Sequence, residues 1–425
     1  MKHLSGIRPA SIVATALAAA MVMTGCSSGG QTAPTAKPTS TSTVGQTLNY
    51  WLWQDNPTDQ TWQELAQEFN AESGHGKVNL QVIPLAQYED KLQTALSSGT
   101  GPDAARMKDE WIGQFAQAKV LAPLSSDINS WSGKSDVLSS AWNAGKIPGS
   151  NEIYMMPHQN VAIYMYYNKK SFAKAGLSAP KTQADVLADA SKLTGNGSYA
   201  MDIRGGAGGQ DQWAAWMYAG GAKFVNAQGQ VTLDNSTAIK VNQKYLDLNK
   251  YAPPGSTTAT YAQVQSNFLS GKTAMMIHHV GSLAGVRAQF GDNVGVIPVP
   301  SAQVGKPSTV QTDSGNAIMA SSQKQALAWQ WISWLDTTKP MIKMSTSPQG
   351  QLPVTQSAAA DPFFKKDPAY QVAITAESTA QSWPSLPGTS TVVNVTWAPT
   401  IQSAFVGQIS SDQALKTLAA ALAKK

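Results

Sequence analysis

The sequence predicts an α/β protein whose mostly parallel sheet is covered by helices, and three observations carry that expectation. Leu48, Tyr50 and Leu52 alternate with Asn49, Trp51 and Trp53 as a half-buried strand does. Trp62, Leu65, Ala66 and Phe69 then fall at i, i+3, i+4 and i+7, the spacing of one helix face, on a helix ending near Gly74. A second strand over 78–82 and a second helix through Leu92, Ala95 and Leu96 repeat the order, and a βαβα sequence implies parallel pairing.

Further strands are expected at 163–167, 273–277 and 294–299, and further helices at 182–193, 263–269, 324–335 and 412–422. The chain has 425 residues, 42% hydrophobic and 13% charged, with thirteen Trp and one Cys. At about 100–200 residues per domain this allows two or three domains, and the composition is that of a packed body rather than a solvated tail. A single thiol builds neither a disulfide scaffold nor a tetracysteine metal site, so packing must supply the stability. A net charge of +5 is too weak and dispersed for a nucleic-acid surface.

Residues 1–25 combine basic Lys2 and Arg8 with an apolar run over 12–23 and small residues after it. That is the layout of a secretory signal, and the run is shorter than the ~20 residues a bilayer span requires. Cys26 follows at once in Met23-Thr24-Gly25-Cys26, which resembles the bacterial lipobox whose Cys thiol is acylated, with Met23 where Leu is commoner. Residues 26–45 are Ser, Thr, Pro and Gly-rich and read as a flexible tether. The expectation is a body held by lipid on Cys26 at the outer face of the cytoplasmic membrane.

Four motifs stand in order through the body. They are Ser97-Ser98-Gly99-Thr100-Gly101-Pro102-Asp103, Tyr167-Asn168-Lys169-Lys170-Ser171-Phe172-Ala173-Lys174-Ala175-Gly176-Leu177, Phe268-Leu269-Ser270-Gly271-Lys272-Thr273-Ala274-Met275 and Ala328-Trp329-Gln330-Trp331-Ile332-Ser333-Trp334-Leu335. On these the chain resembles the extracellular solute-binding proteins of ATP-binding-cassette importers, in the branch that includes maltose-binding protein. Two positions depart from the branch: Thr182 is followed by Gln183 rather than Trp, and Gly281-Ser282 by Leu283 rather than an aromatic. The resemblance implies a two-lobed periplasmic-binding-protein-like (type II) fold. Each lobe would be a mixed, mostly parallel sheet flanked by helices, with the ligand cleft at the hinge. The first lobe is assigned to 46–157 and 294–337, the second to 158–293 and 338–425. Lobes of this kind close on a ligand by hinge bending.

Enzyme signatures fail. Gly205-Gly206-Ala207-Gly208-Gly209 lacks dinucleotide spacing, and Gly281-Ser282-Leu283-Ala284-Gly285 places Ser second rather than third, so neither is a catalytic motif. No catalytic residue, metal site or cofactor is expected. His278 and His279 point to opposite faces of a strand and cannot chelate one metal together, although His278 could donate to a ligand.

A sugar presents an apolar face and a fringe of hydroxyls, so its receptor needs aromatic surfaces beside planar polar side chains. The candidates are Trp53, Gln54, Asp55 and Asn56 after the first strand, where open α/β sheets bind ligands. Glu110 and Trp111 follow the third strand, and His158, Gln159 and Asn160 lie near the first hinge crossing. Trp213, beside Asp211 and Gln212, joins Asp313, Ser314 and Trp383. Trp62, Trp329 and Trp331 read as helix packing, and Tyr164, Tyr166 and Tyr167 as hinge-strand filling. Arg204 and Arg287 are the Arg candidates near the cleft.

The expected function is capture of a mono- or oligosaccharide and its delivery to a membrane permease by a monomeric protein. One alternative is a binding protein for another solute, such as a polyol phosphate. Another is an exported glycoside hydrolase using Asp55 and Glu110, which would need carboxylates about 5–10 Å apart.

Overall fold

The computed structural model describes residues 42–54, 58–306, 308–347 and 351–424. The signal, Cys26, Asp55 and Asn56 lie outside the described residues, as does all but the last few residues of the tether; for Asp313 only the backbone is described.

Strand β1 (Thr47–Leu52) pairs in parallel with β2 (Lys77–Val82) on one side and β3 (Ala104–Lys108) on the other. Helices Thr61–Ala71 and Leu85–Ser97 make the crossovers. Alternation on β1 sorts its side chains by face: Leu48, Tyr50 and Leu52 join a core with Trp62, Leu65 and Phe69, while Trp51 and Trp53 join one with Tyr88, Met107 and Trp111.

Strand β4 (Met156–Asn168), 13 residues long, is the element that joins the lobes. Its first half runs antiparallel to β8 (Gln311–Ile318), which itself borders β3, and touches the short β9 (Leu352–Pro353). Its second half lies between β6 (Thr273–His279) and β7 (Val294–Pro298), and β5 (Tyr199–Met201) closes that sheet in parallel beside β6. Among the described residues antiparallel pairings outnumber parallel ones, so the expected mostly parallel sheets are instead mixed, because β4 and β8 run against their neighbours as they cross between the lobes. Of the expected strands, 163–167 is the second half of a much longer one, since the polar run His158–Gln159–Asn160 hides its start. Helices begin where capping residues allow: the Thr182, Thr260 and Ser410 hydroxyls each accept from the backbone N–H three residues on, and their own backbone N–H groups donate to the side chains of Asp185, Gln263 and Gln413.

Packing corrects the lobe boundaries. Val294 on β7 and Val299 after it belong to second-lobe cores, whereas Met341, Met344, Val354 and Ala358 pack with Tyr50, Trp62 and Trp331 in the first. Lys343 also pairs with Glu64 (2.8 Å) and Glu68 (2.6 Å) of the first helix. The first lobe therefore holds about 42–162 and 311–359, the second about 163–310 and 360–424. Linear motifs could not show this, because the apolar face of helix Thr338–Ser345 fits either lobe until its partner is known.

Candidate functional site between the lobes

On the first-lobe side, β3 ends in Lys108 and helix Asp109–Gln117 opens with two acidic residues, a favourable place for negative charge. Glu110 is 5% exposed and its Oε1 lies 3.4 Å from Lys108 Nζ. The Glu110 carboxylate raises the Lys108 pKa, with Asp211 of the other lobe adding to it.

Arg106 organises the floor. Its guanidinium donates to Trp53 O (2.8 Å) at the end of β1, to Gln159 Oε1 (2.8 Å) on β4 and to Ser314 Oγ (3.0 Å) on β8. A charged donor on Gln159 Oε1 fixes that amide, so the Nε2 donor is the free end, and it is buried with no protein partner. A similar relay fixes Asn160. Gln311 Nε2 donates to Ser140 O (3.1 Å), its Oε1 accepts from Asn160 Nδ2 (2.9 Å), and Asn160 Oδ1 is left as a buried acceptor.

On the second-lobe side, β5 runs into Arg204 and the glycine-rich loop. Gly209 packs so tightly on the Arg204 carbonyl that a side chain there would overlap it, and Arg204 Nη2 donates to Ala207 O at 2.7 Å. The guanidinium stands 5.6 Å from the Tyr261 ring, which in turn lies 4.2 Å from the His278 ring and 5.2 Å from His279. Helix Gln210–Ala219 starts here, and Gln210 Oε1 and both amide atoms of Gln212 are buried without protein partners. Asp211 is half-buried and accepts from Trp383 Nε1 at 3.0 Å. Burial, then the Glu110 charge from the opposite lobe, pushes its carboxyl up to about 6, with Lys108 and Arg204 pulling it back.

Two cations and two carboxylates, one of each sign per lobe, thus lie within electrostatic reach of one another, and buried amides without partners occur on both sides. Such groups are costly to bury unsatisfied and suit a neutral ligand rich in hydroxyls. A cavity of about 970 Å³ adjoins this cluster through Trp383 and opens between the first-lobe loop 146–151 and the second-lobe turn 221–228.

The structure brings Glu110, Gln159, Asn160, Ser314 and Trp383 to this region. Gln54 is engaged in its own loop, donating to Asp59 O (2.7 Å) and Gln63 Oε1 (3.1 Å). Trp53 and Trp111 offer no open platform: Trp53 is covered by Arg106 (4.0 Å) and by Tyr88 and Trp111 at ring distances of 5.1 and 5.5 Å. Two expectations are corrected outright. Trp213 is fully buried and donates to Asn242 Oδ1 (2.8 Å), because nearly every position of its helix is buried and the side chain turns inward. His158 faces the first-lobe core, 2.7 Å from Asp336 Oδ1 and beside Trp62; the register shift between Pro157 and Gln159 defeats simple alternation. His278 is also fully buried, its Nδ1 bonded to Ser282 Oγ (2.6 Å), and His279 is the more open of the pair. Arg287 is paired with Asp367 away from the junction. Arg106, Lys108 and Tyr261 were not picked from sequence; Lys108-Asp109-Glu110, three charges at a strand end in a charge-poor chain, is the signal that could have found Lys108.

A two-lobed body whose charged and amide groups converge between the lobes is the architecture of a binding protein. Residues 54–342 match the family described as bacterial extracellular solute-binding protein, and the chain belongs to that family. Its function is therefore binding rather than catalysis. It is 26% identical to the maltotriose-binding protein of Pyrococcus abyssi, over 73% of this chain and 66% of that one. It is 26% identical to the erythritol/L-threitol-binding protein of Mycolicibacterium smegmatis, over 77% of this chain and 74% of that one. The solved sugar-binding protein MalE of Xanthomonas citri shares the fold, with a TM-score of 0.79 at 18% identity, covering 89% of this chain and 96% of that one.

Proposed function

We propose that the protein captures a neutral carbohydrate between its lobes by hinge closure and passes it to the permease of an ATP-binding-cassette importer. The observation that carries this is a set of polar groups drawn from both lobes: Lys108 paired with Glu110 and the partnerless amide ends of Gln159 and Asn160 in the first, and the partnerless amide of Gln212 beside Asp211 in the second. Each half of the set belongs to a different lobe, so a ligand bridging them ties affinity to closure. Relatives that bind maltotriose and a small polyol agree with a polyhydroxyl ligand and keep a polyol as the second reading. Acylation of Cys26 would hold the body at the outer membrane face.

Calorimetry with a panel of mono- and oligosaccharides and the small polyols tests the ligand class. The expected result is saturable binding of at least one sugar; binding of polyols alone selects the second reading, and binding of neither sinks both. Metabolic labelling with a palmitate analogue, lost in Cys26→Ser, tests the anchor.

A further inference from the structure

Residues 381–391 form a strap between the lobes. The strap is rooted in the second: Trp383 is fully buried in that core and bonded to Asp211, and Tyr218 Oη donates to Ser382 O at 3.1 Å. Its other side lies against the first lobe. Ser385 Oγ donates to Ala144 O (3.2 Å) and Ser390 Oγ to Glu89 Oε1 (2.9 Å). Between these bonds, helix Asp109–Gln117 rests on the strap at Gly113, where a Cβ would overlap the backbone of Ser385 and Leu386. Backbone cannot move aside as a side-chain tip can. Glycine is a poorer helix former than alanine, so its presence inside this helix fits a position where closeness outweighs helix propensity.

Gly113 stands one turn after Glu110 on the same helix, and the strap it touches holds Asp211 through Trp383. One contact therefore joins the helix that carries Glu110 to the strap that holds Asp211. We propose that Gly113 is a positioning residue for capture: its contact with Leu386 sets the angle between the lobes, and through it the population able to bind. The proposal rests on the closing-lobe reading above. Apparent affinity scales with the binding-competent fraction, so a side chain at 113 changes the affinity of every ligand by one common factor and leaves the ratios between ligands unchanged.

The test uses the full chain in a Cys26→Ser background, with spin labels at Ser97→Cys and Lys240→Cys, one exposed site on each lobe. Gly113→Ala and Gly113→Val are compared with the parent. The expected result is a shifted interlobe distance without ligand, and a common change in affinity of about fivefold or more for all sugars bound. Ser390→Ala, which weakens the same seam without a clash, gives a smaller change that is again equal for all ligands and serves if the Gly113 variants fail to fold. Unchanged distances, or losses that differ from sugar to sugar, overturn the proposal. If the parent binds no sugar, the ligand assignment fails while the distances still decide the role of Gly113.

Discussion

Asp336 lies within the first lobe and Asp211 at the junction of the two, and burial pushes both carboxyls up to about 6. Their second causes differ. Asp336 is pulled back by His158, 2.7 Å away inside one hydrophobic core. Asp211 is pushed further by Glu110, which belongs to the other lobe. The first is an internal pair whose geometry is fixed when the lobe folds. The second depends on how closely the two lobes approach, so the proposed closure on a ligand would act on it. A shifted carboxyl is therefore not by itself the mark of a functional site, since an internal ion pair shifts one as far.

The largest expected effect breaks the internal pair. His158→Ala leaves the buried Asp336 without its 2.7 Å hydrogen-bond partner and opens a cavity where the ring was, and should cost about 3–5 kcal/mol of stability by denaturant titration, with the ranking of ligands unchanged. A next, smaller effect falls on the junction. Glu110→Gln should weaken the best ligand by about tenfold to a hundredfold in calorimetry, the size of a lost charged hydrogen bond, while stability stays near that of the parent. The same change removes the repulsion on Asp211, so carboxyl NMR should show its pKa falling.

The pH dependence separates the two aspartates further. A carboxyl raised in the folded state holds its proton more tightly there than in the unfolded chain. Its contribution is complete below the ordinary carboxylate range and lost as pH rises through about 6. Asp336 and Asp211 should therefore stabilise the protein as pH falls from 7 to 5. Buried His278, held well below its ordinary pKa by desolvation, acts in the opposite sense, because the unfolded chain protonates first. Asp336→Asn should remove part of the gain between pH 7 and 5 with and without ligand, whereas Glu110→Gln should alter it chiefly in the ligand-free protein. Thermal melts across that range check both. The smallest effect is Arg287→Ala: its pair with Asp367 is partly exposed, so the loss should be at most about 1 kcal/mol, with ligand affinity intact.

Local patterns were enough for part of the elements, although they missed β8, the helix Thr338–Ser345 and the start of β4. The alternation of β1, the apolar face of Trp62, Leu65, Ala66 and Phe69, and the capping residues Thr182, Thr260 and Ser410 each depend on neighbours within a few residues, which a sequence states directly. Four short motifs in order then pointed to the family. The site was legible only in part. Glu110, Gln159, Asn160 and Ser314, chosen because strand ends and hinge crossings are where such folds place ligands, do lie together around Arg106 and Lys108. Trp213 and His158 misled because aromatic and imidazole groups serve a core as readily as a cleft, and only packing shows which.

The amino-acid sequence by itself determined the α/β class, the order of the first strands and helices and the charge-poor composition, all of which follow from spacing and residue type. Tertiary structure alone decided that helix Thr338–Ser345 returns to the first lobe, that Arg106 fixes the amide of Gln159, and that Glu110 and Asp211 face one another. Those facts join residues about 50 to 300 positions apart, and such pairings exist only once β4 and β8 have brought the two lobes together.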